Sequence, residues 1–300
     1  MPAMSTIDIV VPCYNYGRFL RQCVESVLTQ SHREFRVLII DDCSADETPA
    51  IAAELAQRDP RVSYRRHATN LGHVSTYNEG IEWAESDYML LLSADDFLLP
   101  GSLERAIAAF DVEPEVGLVW GPYVKYRTGD PIPSAATNAG KTGVQVLDAR
   151  TFVRDQVIAN RVPHSATAVR TSVQKRLGGY RFELPHSGDL EMWVRFALNS
   201  KVVRLEAAQS AYRRHDGNMS STYDGIADFE QRRDALRLHY LEIRSRLPNG
   251  AALERWIRWR YTLRSPVWAM TAWRQGRYDA CRRLLMSTFD DVLFNEVRKP

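Results

Sequence analysis

Short apolar segments alternate with amphipathic helical segments along the first 120 residues. The run Ile7–Val11 is almost wholly apolar, as expected of a strand buried on both faces, and the apolar residues after Gly17 recur at the spacing of one helical face. The alternation continues through predicted strands at Phe35–Ile40, Val62–Arg66, Tyr88–Leu92 and Val116–Trp120, and predicted helices at Thr48–Arg58, Thr76–Glu85 and Ser102–Phe110. Because the connections are short, this order predicts an α/β fold with a mainly parallel central sheet flanked by helices on both faces.

The composition is that of a globular chain. Of its 300 residues, 45% are hydrophobic and 25% charged, which allows a sizeable core and excludes a disordered tail, a collagen-like fibre and a disulfide scaffold. None of the four cysteines forms a Cys-x-x-Cys pair, so we expect the reduced thiols of a cytoplasmic protein. No apolar run approaches the roughly 18 residues of a membrane span, so we expect any membrane contact to be peripheral, on the inner face.

The second half of the chain changes character twice. Residues 128–145 are rich in Gly, Pro, Ser and Thr, and this composition predicts a loop. From about residue 226 the apolar spacing is helical to the end, with breaks predicted at Pro248–Gly250 and near Pro266. We therefore expect a domain over residues 1–225 and a helical C-terminal extension over residues 226–300.

Several common motifs are absent from the sequence. There is no Gly-x-Gly-x-x-Gly after the first strand, which argues against a dinucleotide-binding site, and neither His-Glu-x-x-His nor Gly-x-Ser-x-Gly occurs. Gly140–Thr142 resembles the end of a phosphate-binding P-loop, but Ala135 stands where that motif requires its first glycine. No Gly-rich phosphate loop is therefore expected.

Two pairs of adjacent aspartates each follow an apolar strand. Asp41-Asp42 follows the second strand and Asp95-Asp96 follows the strand at Tyr88–Leu92, so a parallel sheet would bring both pairs to the same edge. Adjacent like charges need a cation or donor groups between them, and Mg²⁺ or Mn²⁺ is typically held by one or two carboxylates plus substrate phosphate oxygens. Such residues also form ordinary turns and helix caps, but two pairs in matching positions favour a site.

Several motifs recur in a fixed order along residues 6–220: Val11–Asn15, Asp41–Thr48, Asn70–Gly72 with Asn78 and Gly80, Leu92–Asp96, Gly178–Tyr180, Gly188–Arg195 and Tyr212–His215. Together they resemble the successive signatures of family 2 glycosyltransferases, which are inverting enzymes with the GT-A fold. The resemblance is specific to the family and not to one substrate. It implies a Rossmann-like, GT-A type fold with a nucleotide-binding half over residues 1–105 and an acceptor-binding half over residues 106–225.

The resemblance also implies a donor site for a nucleoside-diphosphate sugar. The turn Pro12–Asn15 would pack on the base, with Tyr14 near it. One carboxylate of Asp41-Asp42, more often the first, would accept the imide N–H of uracil or thymine, which implies a UDP- or dTDP-linked sugar. The implied nucleotide-sugar-binding residues are Pro12, Tyr14, Asn15, Asp41, Asp42, Asn70, Gly72, Asn78, Ser93, Ala94, Asp95 and Arg213.

The same resemblance implies the catalytic groups. Asp95 and Asp96 match the metal-binding Asp-x-Asp-type motif, with His215 as a further ligand of Mn²⁺ or Mg²⁺. Asp189 matches the catalytic base that takes the acceptor proton, whereas by itself it would be interpreted as a helix N-cap. The implied acceptor-binding residues are Gly179, Tyr180, Glu191 and Trp193.

Three positions depart from the family pattern. Ser93 stands where many relatives carry Asp, which thins the acidic cluster. Cys43 stands where glycine is common, so we expect its turn to avoid a conformation open only to glycine. Tyr77 replaces a frequent arginine, so a diphosphate contact is either missing or supplied by another residue such as Arg213.

The C-terminal extension is basic and rich in tryptophan. Residues 226–300 contain 15 Lys and Arg against 9 Asp and Glu, together with four of the seven tryptophans. Residues 251–286 predict two helices broken near Pro266. They would either pack on each other and on the catalytic domain, or lie as an interfacial segment on anionic lipid near a lipid-linked acceptor.

Three classes of function fit these features to different degrees. The leading hypothesis is a metal-dependent inverting glycosyltransferase acting on a glycan, lipid-linked or small acceptor, as in polysaccharide or glycoconjugate biosynthesis. The second is a nucleotidyltransferase that makes the sugar nucleotide, but Val10–Arg18 lacks the Gly-rich loop of that class. The third is a catalytically inactive binding module. No nucleic-acid partner is expected, and the oligomeric state stays open.

Overall fold

The computed structural model describes residues 5–218, 223 and 225–293, with side chains up to residue 286. The strands are β1 Ile7–Cys13, β2 Phe35–Asp41, β3 Val62–Arg66, β4 Tyr88–Leu91, β5 Phe97–Leu98, β6 Val116–Trp120, β7 Tyr123–Tyr126, β8 Val144–Leu147, β9 Thr167–Arg170, β10 Lys201–Leu205 and β11 Ser210–Arg213. The helices are α1 Gly17–Leu28, α2 Thr48–Arg58, α3 His73–Trp83, α4 Ser102–Phe110, α5 Ala149–Ile158, α6 Thr171–Leu177, α7 Gly188–Asn199, α8 Gly225–Arg237, α9 Tyr240–Arg246, α10 Gly250–Arg274 and α11 Tyr278–Leu293.

An eight-stranded sheet in the order β3-β2-β1-β4-β9-β6-β10-β8 forms the centre of the fold. The strands β3, β2, β1 and β4 run parallel, β10 runs parallel to β6, and β9 and β8 run antiparallel to their neighbours. A second sheet has the order β5-β11-β7. The predicted α/β fold with a largely parallel sheet and a helical C-terminal region is therefore confirmed.

The first strand and helix show why the apolar pattern produces these elements. Ile7, Ile9, Val10 and Val11 of β1 are fully buried, because helices cover both faces of the strand. β1 lies between β2 and β4 and is parallel to both, so the residues that follow β1, β2 and β4 emerge at one edge of the sheet. This edge carries the predicted functional residues.

The start of α2 is held by a side chain that lies before the helix. Thr48 lies inside the helix, and its backbone N–H and its hydroxyl both donate to Oδ1 of Asp46, at 3.0 and 2.5 Å. The other oxygen of Asp46 accepts the N–H of Gly17 at 2.9 Å. The Asp46 carboxylate therefore accepts the backbone N–H of the first residue of both α1 and α2, where N–H groups lack partners within the helix.

Two predicted irregular regions are more regular in the structure. Residues 128–145 include a short 3₁₀ helix at Ala135–Asn138 and the beginning of β8, which pairs with the edge strand β10. The predicted break near Pro266 is wrong, because α10 continues through Pro266 to Arg274. Proline removes one hydrogen bond, but burial of Tyr261, Ser265 and Ala269 around it keeps the helix together.

The helical C-terminal region shares a hydrophobic core with the sheet. Phe229, Tyr240 and Ile257 belong to the same buried cluster as Val10 and Trp193. The division at residue 225 stays a prediction. Within the described residues, no helix is both long enough and apolar enough to cross a membrane.

Candidate active site

A cavity of about 940 Å³ lies at the carboxyl ends of β1, β2 and β4. Its walls include the turn after β1, the loop before α3, the loop after β4 and the first turn of α7. Eleven of the predicted site residues line it: Pro12, Tyr14, Asn15, Asp42, Asn70, Gly72, Ser93, Asp95, Asp96, Tyr180 and Asp189. The fold thus brings residues from both predicted halves of the domain to one cavity.

Eight predicted site residues lie outside this lining: Asp41, Asn78, Ala94, Gly179, Glu191, Trp193, Arg213 and His215. Most of them contact lining residues from behind. Their proposed contacts with substrate or metal stay predictions.

The turn after β1 is tied to the turn after β2. The backbone N–H of Asn15 donates to Oγ of Ser44, and Oδ1 of Asn15 accepts the N–H of Ala45, both at 2.8 Å. Asn15 has a φ of 55°, a conformation that asparagine adopts more readily than most residues. Cys43 has a φ of 64°, so the expectation that its turn avoids the glycine-favoured region is wrong.

The pair Asp41-Asp42 is divided between the protein interior and the cavity. The fully buried Asp41 accepts the N–H of Ser44 at 2.8 Å and the hydroxyl of Tyr64 at 3.3 Å. Asp42 lines the cavity and accepts the N–H groups of Leu71 and Gly72, at 2.7 and 2.8 Å. The structure therefore places the second carboxylate, and not the first, at the predicted base-binding wall.

His67 holds Asp42 from behind. Its two ring nitrogens lie 2.8 Å from Asp42 and 2.7 Å from Glu79. Burial lowers the pKa of His67, but the hydrogen bonds to these two carboxylates outweigh burial and raise it. Because both ring nitrogens face carboxylates, a doubly protonated imidazolium satisfies the arrangement.

Asp95 and Asp96 are buried side by side at the cavity wall. Asp95 Oδ2 accepts from His215 Nε2 at 3.1 Å and from Asn218 Nδ2 at 3.2 Å, and Asp96 Oδ1 accepts the backbone N–H of Arg213 at 2.8 Å. Burial, and next the charge of Asp95, raise the pKa of Asp96 well above its usual value. Within the described parts of the chain, neither carboxylate forms an ion pair with an Arg or Lys side chain.

Arg213 and His215 support this pair from outside the cavity. The buried Arg213 guanidinium donates to the Asp95 carbonyl at 2.7 Å and to Gln22 Oε1 at 2.5 Å, and it stacks 4.6 Å from the Phe19 ring centre. His215 Nδ1 accepts the N–H of Gly217 at 3.1 Å, so Nε2 carries the proton donated to Asp95. In this arrangement Arg213 does not face the cavity, and His215 has no free lone pair for a metal.

Asp189 lies inside the first turn of α7, after the N-cap residue Ser187, so the N-cap interpretation is wrong. Its Oδ1 accepts the N–H of Leu190 and its Oδ2 accepts Nδ2 of Asn160, each at 2.7 Å. The position near a helix N-terminus favours a negative charge. Sequence reasoning missed Asn160, because it lies 29 residues away in a segment without a motif.

An aromatic wall lies next to Asp189. The rings of Tyr77, His164 and Tyr180 line the cavity with centres 5.4–5.5 Å apart. Burial lowers the pKa of His164, which favours the neutral imidazole. Trp193 lies behind this wall, 5.4 Å from His164, and its Nε1 donates to the Val162 carbonyl at 3.1 Å.

Asn78 and Gly179 fix the backbone that presents Tyr180. Asn78 Oδ1 accepts the N–H of Tyr180 at 2.7 Å, and its Nδ2 donates to the Tyr180 carbonyl at 3.0 Å. A Cβ at position 179 would lie 2.3 Å from Asn78 Oδ1, so only glycine permits this approach. Both residues therefore position the cavity wall without lining it.

Glu191 lies in a buried ion-pair cluster instead of the cavity. The Glu191 cluster consists of Glu191, Arg181, Arg195 and His239, with Glu191 oxygens 2.7–3.0 Å from nitrogens of the other three side chains. Burial raises the pKa of Glu191, but the hydrogen bond from His239 and the charge of Arg195 outweigh it, so the pKa is lowered. The cluster joins α7 to the segment between α8 and α9.

The C-terminal region also contributes to the cavity. Asp228 and Arg232 of α8 belong to its lining. His186, which precedes α7, lies 2.9 Å from Asp228 and stacks on the ring of Tyr223 with centres 4.0 Å apart. Asp228 and Arg232 were not among the predicted site residues, because they lie in the C-terminal extension, where no site residue was predicted.

Comparison with known families gives a match over more than half of the chain. The family model described as "Glycosyl transferase family 2" matches residues 8–177. An uncharacterized protein of Mycobacterium tuberculosis is 29% identical over 231 residues, which is 74% of this chain and 70% of that protein. Glycosyltransferase GlyG of Streptococcus pneumoniae is 29% identical over 124 residues, 41% of each chain. The match to GlyG therefore spans less than half the length of that relative.

Solved structures with low sequence identity share the fold. TarS 1-349 of S. aureus in complex with UDP-GlcNAc superimposes with a TM-score of 0.72 and 19% identity, covering 94% of this chain and 81% of that one. A mannosyltransferase from Pyrobaculum calidifontis in complex with GDP-Man and Mn²⁺ superimposes with a TM-score of 0.58 and 15% identity, covering 98% and 89%. At these identities the likeness concerns the fold alone.

Proposed function

Because the chain belongs to glycosyl transferase family 2, and is therefore a glycosyltransferase, we propose that it is an inverting enzyme that uses a UDP- or dTDP-linked sugar. The acceptor is a glycan, a lipid-linked molecule or a small molecule, as in polysaccharide or glycoconjugate biosynthesis. One observation carries the proposal. The Asp95-Asp96 pair, the Asp42 wall and Asp189 line a single cavity of about 940 Å³, a volume in the range of small-molecule sites.

The nucleoside end of the donor is proposed to lie between the turn after β1 and Asp42. Tyr14 is 48% exposed at this wall, so its ring is available to a base. Asp42 already accepts two backbone N–H groups and faces His67, which holds its carboxylate in one orientation. UDP-GlcNAc in TarS and GDP-Man in the mannosyltransferase support a nucleotide-sugar donor.

A divalent metal ion, Mn²⁺ or Mg²⁺, is proposed at Asp95 and Asp96. Within the described residues there is no group of three or more His, Cys, Asp or Glu that could hold an ion by itself. The residues nevertheless fit, because these ions are commonly held by one or two carboxylates together with substrate phosphates, and among the described residues no Arg or Lys side chain forms an ion pair with Asp95 or Asp96. When bound, the ion neutralises charge that develops on the leaving diphosphate.

Asp189 is proposed as the general base. An acceptor hydroxyl oxygen forms a bond to the anomeric carbon on the face opposite the diphosphate, and the bond from that carbon to the phosphate oxygen breaks. The hydroxyl proton passes to the Asp189 carboxylate, and the bonding electrons leave with the nucleoside diphosphate. Asn160 and the N–H of Leu190 hold the carboxylate in place for this transfer.

The thiols support a cytoplasmic location for the enzyme. Cys13, Cys23, Cys43 and Cys281 are free, as is usual in a reducing environment, so we place the enzyme in the cytoplasm. Nucleotide sugars would reach the cavity there without crossing a membrane.

The test is a thermal-unfolding panel with UDP-, dTDP- and GDP-sugars, each with and without Mn²⁺. A ligand that binds only the folded chain at about 100 times its Kd stabilises it by about 2.7 kcal/mol, which raises the melting temperature by roughly 5–10 °C. We expect this rise for UDP- or dTDP-sugars with Mn²⁺, and its loss in the Asp96→Asn protein. Exposed Asp155→Asn is the matched control. The absence of a shift for every donor with metal would overturn the proposal.

A further inference from the structure

Helix α10 is apolar on two opposite sides. Its inner face packs on the rest of the protein through residues spaced three or four apart: Leu253, Ile257, Tyr261, Ser265, Ala269 and Ala272. A second series with the same spacing is exposed, and we call it the outer face: Trp259, Leu263, Pro266, Val267, Met270 and Trp273. The two series are offset by two residues, or about 200° around the helix.

The outer face is exposed to an unusual degree. Trp259, Val267 and Trp273 are 61, 65 and 60% exposed. The face extends from Trp259 to Trp273, about 21 Å along the helix axis. Helix faces that are apolar are normally buried. An exposed apolar stripe of this length therefore indicates a surface that a membrane or an apolar partner covers.

The charges beside the outer face have one sign. Residues 255–274 contain five arginines and no Asp or Glu. Arg255, Arg264 and Arg274 are exposed, and the Arg260 guanidinium lies over the Trp256 ring at 5.8 Å. Over residues 255–274, α10 therefore carries positive charge alone.

We infer that the outer face of α10 binds the surface of an anionic lipid bilayer, with the helix lying parallel to that surface. The tryptophans at the two ends and the aliphatic residues between them enter the boundary between headgroups and acyl chains, and the arginines contact anionic headgroups. α10 is not apolar enough to span a bilayer, which agrees with a surface position. A second copy of the chain would bring the same arginines together, so like-charge repulsion opposes a self-interface.

The test is co-sedimentation of the full chain with vesicles of phosphatidylcholine alone and with vesicles that also contain phosphatidylglycerol. We expect binding to the phosphatidylglycerol vesicles only, weakened by added salt. The double variant Trp259→Gln/Val267→Gln removes apolar contacts, and Arg255→Gln/Arg264→Gln removes charge. Each should weaken partitioning by about tenfold or more. The binding measurement requires no donor, acceptor or metal, so it is independent of the proposed enzymatic reaction.

Matched controls use equally exposed residues outside α10. Leu241 of α9 is 71% exposed and Arg176 of α6 is also exposed, so Leu241→Gln and Arg176→Gln should bind vesicles like the unmodified chain. All variants should keep the melting temperature, because the replaced side chains make few contacts. Equal binding to both kinds of vesicle, or none to either, would refute the inference. A lipid-free dimer that Trp259→Gln/Val267→Gln abolishes would also refute it, since the outer face would then be an interface between copies.

Discussion

Two buried acidic centres, the Glu191 cluster and the Asp95-Asp96 pair, differ in how their charges are balanced. Glu191 is surrounded by Arg181, Arg195 and His239, and its pKa is lowered. Asp95 and Asp96 accept from backbone, amide and histidine donors, no Arg or Lys side chain among the described residues forms an ion pair with either of them, and the pKa of Asp96 is raised. The Glu191 cluster is complete without a ligand, whereas the Asp95-Asp96 pair lacks a neighbouring cation, which a bound metal would supply.

The largest expected effect is on Asp189. In the Asp189→Asn protein the isosteric side chain keeps the size and shape of Asp189 but cannot take a proton, so transfer should fall by about 10²–10⁴-fold. Transfer of a labelled sugar measures the loss, and donor binding should persist in thermal unfolding. The exposed Asp155→Asn protein is the control. Retained transfer by Asp189→Asn would place the base elsewhere.

Removing the charge of Glu191 should chiefly affect stability. Glu191→Gln leaves Arg181, Arg195 and His239 around an uncharged group, and breaking a buried ion pair in this way costs about 3–5 kcal/mol. Denaturant unfolding measures the change. The control Glu242→Gln breaks only an exposed pair with Arg246, worth about 0–1 kcal/mol. A small loss of unfolding free energy in Glu191→Gln would mean that Arg181, Arg195 and His239 do not stabilise the Glu191 carboxylate as their hydrogen bonds indicate.

Asn160 tests whether the Asp189 carboxylate is positioned from outside its helix. Asn160→Ala removes the 2.7 Å hydrogen bond, and a bond to a charged group contributes about 1.5–3 kcal/mol. We expect kcat to fall by about tenfold or more while the KM for the donor stays unchanged. Asn138→Ala, in the segment before β8, is a control outside the cavity lining. An increase in the donor KM alone would make Asn160 a donor-binding residue instead.

Asp96→Asn should stabilise the ligand-free protein. The folded pKa of Asp96 is raised, so its ionisation lowers stability as the pH rises above the unfolded value near 3.8. The variant lacks this penalty, and at neutral pH its melting temperature should increase by about 2–4 °C. The gain should disappear in acid. A lower melting temperature of Asp96→Asn at neutral pH would show that neighbouring donor groups already stabilise the negative charge of the Asp95-Asp96 pair in the ligand-free protein.

The smallest expected effect concerns the pH dependence of the Glu191 cluster. The folded pKa of Glu191 lies below the model-peptide value of 4.5, so its contribution is fully present above that pH and is lost as the pH falls through the folded pKa. The difference in unfolding free energy between the unmodified chain and Glu191→Gln should therefore be constant near neutral pH and narrow below about pH 4.5. A difference that widens in acid would contradict this assignment.

Much of the fold was predictable because it depends on local patterns. The bounds of β3, α4 and β6 agree with those predicted from apolar spacing, and the two aspartate pairs emerge at the expected edge. The failures are positions where distant contacts override a local preference. Pro266 lies inside α10 because the surrounding residues are buried, and Cys43 adopts a positive φ within the turn that follows Asp42.

The sequence by itself determined the order of strands and helices, the family and the edge where the acidic residues gather. Only the tertiary structure decided which of those residues reach the cavity. Glu191 meets a histidine 48 residues away, and Asp95 meets one 120 residues away. Periodicity reports which face of an element is apolar, but the balance of a buried charge depends on groups that folding brings from remote parts of the chain.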